Sequence, residues 1–214
     1  APTATAPPPT ATPPPPTALP PTALPPTATR PIPTALLPTA VATPDSALGR
    51  GSFVGRLDGS ETFVAIVVSG TEVMAYVCDG NTLARWFTGT RQGSSVDLRA
   101  QSGERLTANL GATPANGSLR QSAGAFTAAN GQSLRFNSTA ATGLDRAGLY
   151  RGTAPVDGGE AVLGVIVLPG DEFRGAFSVQ GTATGVTSPA FGAGNLTAVY
   201  GGSVPILAPR LGNP

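Results

Sequence analysis

An all-β fold is predicted, an antiparallel meander forming either a barrel or a two-sheet sandwich. Three observations carry this. From residue 50 onward, short apolar runs alternate with turn dipeptides about every 8 to 12 residues. No stretch sustains a 3.6-residue apolar period. The charged fraction is 12 %, about half the usual ~25 %, with Gly, Thr, Ser and Ala in its place.

The individual runs define the strands. "TFVAIVVS" (62–69) meets "EVMAYVC" (72–78) across Gly70-Thr71, and "SVDLRA" (95–100) meets "RLTANL" (105–110) across Ser102-Gly103. "AVLGVIVL" (161–168) turns at Pro169-Gly170 into "EFRGAFSV" (172–179). Asn116-Gly117 and Asn130-Gly131 suit turns that need φ > 0. Two kinds of strand result. In "SVDLRA", Val96, Leu98 and Ala100 face one way while Asp97 and Arg99 face the other; "RLTANL" turns Leu106, Ala108 and Leu110 inward. Such strands have one wet face. "TFVAIVV", "VMAYVC" and "AVLGVIVL" are apolar on both faces. A closed barrel covers one of those faces; a second sheet, the other half of the domain or a partner must cover the other.

The domain plan is a stalk (1–48), a single antiparallel β-domain (49–208) and a short tail (209–214). The first 44 residues hold 16 of the 23 prolines, in imperfect "PTATPP", "PTALPP" and "PTATRP" units with one charge, Arg30. Proline fixes φ near the polyproline II value and has no N–H, so this segment cannot make a helix or a sheet ladder. It reads as a semi-rigid spacer on the order of 140 Å long at ~3.1 Å per residue. Removing it is expected to leave the melting temperature of the rest unchanged. Threonine beside proline is also the composition of O-glycosylated stalks, and PxxP spacing that of signalling ligands. Within the β-domain, "FVGRLDGSETFVAIVVSGTEV" (53–73) parallels "YRGTAPVDGGEAVLGVIVLPGDEF" (150–173). This is either a duplication with halves 52–145 and 146–208 or a repeated hairpin grammar.

Chemistry is limited by what the chain lacks. With no His, no Ser-His-Asp or Cys-His site can be assembled from it. All 13 basic residues are Arg, so Schiff-base and Ser-Lys chemistry are excluded. No phosphate loop or dinucleotide fingerprint occurs. The arginines are scattered singly and the net charge is +1, so nucleic acid is not an expected partner. No run of ~18 apolar residues is present, so no membrane-spanning helix is expected.

Cys78 is the single cysteine and cannot form an internal disulfide. A reactive thiol needs an activating base, cation or helix N-terminus. Cys78 instead ends an apolar strand beside Asp79, and a buried inert thiol is expected. What remains open is carboxylate-pair hydrolysis, drawing on Asp58, Glu61, Glu72, Asp79, Asp97, Glu104, Asp145, Asp157, Glu160, Asp171 and Glu172. Nearly all lie beside glycine at turns, which turn chemistry explains. Trp86 in "LARWFTG" reads as packing. The "DGN" (79–81) and "DGGE" (157–160) loops could offer oxygens to calcium but do not match the twelve-residue loop. Asn116, Asn137 and Asn195 stand in glycosylation sequons.

"FVAIVV", "AYVCDG", a Trp followed shortly by Gly, "AGLYR" (147–151) and "VIVLPGDE" (165–172) together resemble a family of secreted bacterial β-rich domains preceded by a Pro/Thr-rich linker. The resemblance covers about residues 52 to 180, and its most specific block is "AYVCDG". Where that family has "GWIVL", this chain has Gly164-Val165. The resemblance implies export and an all-β fold. It brings no activity, so no catalytic, cofactor or metal residue is carried over.

The expected function is therefore a non-catalytic, extracellular or cell-surface module with a binding or structural role, held on a stalk and meeting a surface protein or glycan. Its alternatives are a self-assembling subunit that makes contact through the doubly apolar strands or the tail "VPILAPRLGNP", and a carboxylate-dependent hydrolase of extracellular polymers. No cofactor is expected.

Overall fold

The computed structural model describes residues 49–112, 119–142 and 145–212, all within the second of two units, 42–214. The stalk and the Asn116-Gly117 turn lie outside the described residues. Among the described residues there is no helix, and none long and apolar enough to cross a membrane.

Eight strands form an antiparallel meander: β1 (Gly51–Leu57), β2 (Phe63–Ser69), β3 (Glu72–Cys78), β4 (Ala84–Gln92), β5 (Ser95–Arg99), β6 (Arg105–Ala112), β7 (Leu119–Thr127) and β8 (Ser133–Ala140). Pairing of β1 with β8, Gly55 opposite Ser138, closes them into a barrel. Closure removes the free edges an open sheet would expose. Seven further strands follow. β9 (Gly148–Val156), β10 (Gly159–Val167), β11 (Phe173–Val179) and β12 (Thr182–Gly185) form one sheet, and β13 (Ala190–Phe191), β14 (Asn195–Tyr200) and β15 (Val204–Pro209) another. The barrel thus stands, with two small sheets packed in addition rather than as a simple sandwich.

The turns follow their residues. Gly70-Thr71 makes a two-residue hairpin with Ser69 opposite Glu72, and Gly70 has φ 62°. At Asn130-Gly131 the Asn130 side chain accepts from the Gln132 N–H while Gly131 takes φ 86°.

The strand types match their environments. In β5, Val96 and Leu98 are buried and Asp97 and Arg99 exposed. The barrel interior is filled by inward residues of each strand, among them Phe53, Ile66, Val77, Leu106, Phe126 and Phe136. The outward faces of β1 to β3 present Val54, Phe63, Ala65, Tyr76 and Cys78, and these pack on Leu149, Ile166 and Ala176 of the second half. The covering layer for the doubly apolar strands is therefore the chain's own later strands. β10 is apolar on both faces for the same reason: Ile166 meets the barrel, while Leu163, Val165 and Val167 meet Leu196 and Ile206.

The two parallel segments occupy corresponding places. Phe53 and Tyr150 both point into their own half, and Asp58-Gly59 and Asp157-Gly158 both turn the chain, with Gly φ of 68° and 90°. The chain stays packed past residue 208, into the segment 209–212. Pro209 ends β15, Arg210 bridges Tyr150, the Leu211 N–H donates to Leu149 O, and Leu211 packs on the barrel.

Candidate functional site

Three clusters of chemistry-bearing side chains stand out where the halves meet and at the barrel ends. The first surrounds Cys78. Alternation along β3 places Tyr76 and Cys78 outward on the barrel, where the second half buries both. Burial pushes the thiol pKa up to about 11, against the hydrogen bond that Sγ accepts from the Gly80 N–H at 3.2 Å. Burial also lifts the Tyr76 phenol well above its usual value. Tyr76 stacks on Trp86 at 4.2 Å, and the Arg151 guanidinium lies 5.5 Å from the Trp86 ring centre. Gly164 admits this pair: a Cβ there would be 2.6 Å from Tyr76 Cζ and 2.7 Å from Trp86 Cζ2. Trp86 is thus a packing residue, wedged between β10 and the barrel.

The second cluster is ionic. Arg56 of β1 donates to Glu61 at 3.0 Å and to both oxygens of Glu172 at 2.6 and 2.7 Å. Arg174 of β11 donates to Glu61 at 2.6 Å, and its Nη2 lies 3.8 Å from Glu172. Both guanidinium carbons sit about 5 Å from the centre of the Phe63 ring, at 5.0 and 4.9 Å. Two carboxylates from opposite halves therefore face one another across shared arginines, over a buried aromatic ring. Chemically the cluster is an ion-pair clamp between the halves. Asp79, among the acids open to carboxylate-pair chemistry, is turned into its own loop. Its Oδ1 accepts from the N–H groups of Asn81, Thr82 and Leu83, at 2.7 to 2.9 Å. This supplies the turn after β3 with the hydrogen bonds its backbone lacks.

The third cluster holds charge at the barrel ends. Glu104 is buried, accepts from Arg85 at 2.6 Å and also bonds Ser102. Burial would raise its pKa, but these two hydrogen bonds outweigh it and hold the carboxyl below its ordinary value. Arg91 is buried and donates to the carbonyls of Gly70 (2.6 Å) and Gly93. Asp97 is held low by its hydrogen bonds from Arg105, at 2.7 and 2.5 Å, but it is exposed.

Among the described residues no three His, Cys, Asp or Glu side chains converge as a metal site, and Asp157 and Glu160 of the "DGGE" loop are exposed. Two hollows remain. One, about 450 Å³, lies on the outside of the barrel between Val67, Met74, Thr88 and the packed end Leu211-Gly212. The other, about 250 Å³, lies in the second half between Gly185-Val186 and Ala198-Val199. Among the described residues the exposed large hydrophobics are Val199 and Leu207, on neighbouring strands β14 and β15. Of the two surfaces named for assembly, the doubly apolar strands are covered within the chain, whereas the tail segment buries Ile206 and Ala208 and leaves Leu207 exposed.

Sequence reasoning reached Cys78 and Trp86 in their packing roles. It missed the clamp and the hollow beside Val199, because both join segments far apart in the chain. Comparison of the chain with protein-family models, curated proteins and solved structures returns no match.

Proposed function

We propose that this chain is a non-catalytic module, exported and held on its Pro/Thr-rich stalk, that works by contact with a surface protein or glycan. The observation that supports this best is the state of its acids. Among the described residues Glu61 and Glu172, drawn together from distant segments, are bound by Arg56 and Arg174 and open to solvent. Asp79 is held in its turn and Glu104 in a barrel-end ion pair. A contact surface needs shape and a few hydrogen bonds, and a chain without His and Lys loses nothing there. The low charge and the stalk favour a place outside the cell, where a spacer lets a module reach its partner.

Assembly into a larger extracellular structure is the second reading, and the adjoining exposed Val199 and Leu207 favour it. The test is incubation of the full chain with cell-wall and extracellular glycans, assaying both retention and bond cleavage. Retention without cleavage is expected. Turnover that disappears in the Glu61→Gln, Glu172→Gln double variant would overturn the contact reading in favour of a hydrolase.

A further inference from the structure

We infer that the seam between β12 and β14 is a slot for an extended segment of a different protein, which adds there as a β-strand. This deepens the contact reading, on which it rests, by naming a class of partner. The first ground is hydrogen-bond direction. The Arg210 N–H donates to Gly194 O at 3.0 Å, which sets the bonded pairs of the β14–β15 ladder at every second residue: Leu196 with Ala208, Ala198 with Ile206, Tyr200 with Val204. Thr197 and Val199 fall at the alternate positions and turn their own N–H and C=O away from β15. Pro205 and Pro209 occupy such positions on β15, where a missing N–H costs the ladder nothing. On that far side β13 is only two residues long, pairs with Leu196 and Thr197 and reaches no further. The backbone of Val199 thus faces the seam. Across it the Val186 N–H donates to Gly175 O at 2.9 Å, so Ala183 and Gly185 of β12 turn their backbone groups away from β11 and toward the same seam.

The second ground is the shape and charge of the seam. Its hollow of about 250 Å³ has Phe177 and Ala198 in its lining, with the exposed Thr187 and Ser188 and no charged residue. Exposed edges are usually protected by charge or proline; β12 (Thr-Ala-Thr-Gly) has neither. Val199, 52 % exposed, stands at the rim.

The third ground says what fits. In the barrel half, β5 lies between β4 and β6 with Val96 and Leu98 inward and Asp97 and Arg99 outward. In the second half the chain passes from β12 to β13 through residues 186–189 with no strand in that place. The fitting occupant is a β5-like segment: extended, with small apolar residues at alternate positions facing Phe177 and polar ones facing water. Strand addition of this kind draws affinity from the main chain and selectivity from alternate side chains.

The test uses the full chain and a fluorescent peptide with the sequence of residues 94–101, SSVDLRAQ. Saturable binding by anisotropy is expected. It should be lost when alternate peptide amides are N-methylated. Val199→Pro removes the seam-facing N–H without touching a β14–β15 bond and should weaken binding by roughly tenfold or more, while Val199→Thr leaves it unchanged. If Val199→Pro fails to fold, the N-methylated series decides alone. No saturable binding, or binding indifferent to N-methylation, overturns the slot. So does concentration-dependent dimerisation abolished by Val199→Pro in the absence of peptide binding, which would make a second copy the occupant. Glycan retention on the same protein separates the two proposals: peptide failure with retention intact removes the slot and leaves the contact reading standing.

Discussion

The barrel half, β1 to β8, and the second half, β9 to β15, begin alike and end differently. Each opens with a three-strand meander that turns at Asp-Gly, and each first strand carries a glycine where the last strand of its half crosses it. A Cβ at Gly55 would run into Asn137 O, and one at Gly152 into Leu207 O. Yet β1 pairs with β8 over five residues, while β9 packs against β15 and is bonded to the chain just past it at the Tyr150–Arg210 bridge and the Leu211 N–H to Leu149 O bond, with no ladder between the two strands. Close approach and closure are therefore separable. Glycine permits the first and last strands to cross, and a ladder forms only where enough strands stand between them to bring their edges into register.

The largest expected effect tests that separation. Gly55→Ala must force β1 and β8 apart against a ladder, so it should lower stability by about 3 kcal/mol in urea unfolding. Gly152→Ala meets a carbonyl too, but no ladder joins β15 to β9, so β15 can yield and the cost should be about half as much, roughly 1.5 kcal/mol. Equal costs would mean that the second half is held as firmly as the barrel.

Next in size is Cys78, which reports whether the halves part. It lies on the barrel but is covered by the second half, and its thiol pKa is about 11. At pH 8 it should be almost wholly protonated and resist iodoacetamide, and its alkylation rate should follow global unfolding. Rapid alkylation with the barrel intact would show the second half peeling away alone. Cys78→Ser should destabilise by about 1–3 kcal/mol, since the hydroxyl enters an apolar interface.

A smaller effect is confined to the barrel. The folded-state pKa of Glu104 lies below its ordinary 4.5. Its ionised form is thus preferred in the folded chain, and the stabilisation is present above the unfolded value and lost as pH falls through the folded one. Stability should decline below about pH 4.5, and Glu104→Gln should flatten that acid limb while lowering stability at pH 7 by about 1 kcal/mol. An unchanged acid limb would show that the pair with Arg85 does not hold the barrel end.

Alternation made much of this legible in the sequence. The single wet face of "SVDLRA" and the doubly apolar "TFVAIVV" separate strands with one buried face from strands with two, and that distinction calls for a second covering layer while leaving barrel and sandwich as alternatives. The later strands were harder to read. β12 is four residues of Thr, Ala and Gly, β13 is two residues, and β15 carries prolines, so none has the length or β-branched content that marks a strand locally. The clamp has no local signature either, because Arg56 and Glu172 stand 116 residues apart and meet only after the halves pack. The turn role of the acids was readable for Asp79 from its Asp-Gly context. The pairing of Glu61 with Glu172 was not, since it depends on where the β10–β11 turn lands against the barrel.

The clamp should give the smallest effect of the set. Its carboxylates are exposed, with side-chain exposures of 71 % for Glu61 and 45 % for Glu172, so water and salt screen the attraction. A double-mutant cycle between Glu61→Gln and Arg174→Gln should give a coupling below about 1 kcal/mol at low salt. It should fade toward zero by about 1 M salt, where the Debye length is about 3 Å. The ring contact behaves differently. The Arg174 guanidinium lies 4.9 Å from the centre of the Phe63 ring, and a cation–ring contact of this kind does not depend on the carboxylates. Arg174→Lys keeps the charge and loses the planar group, so its residual cost at high salt isolates the ring contact from the ion pairs. Coupling that survives high salt in the Glu61–Arg174 cycle would show a clamp shielded from solvent. The two halves would then be joined at their rim as firmly as through the apolar layer around Tyr76 and Cys78.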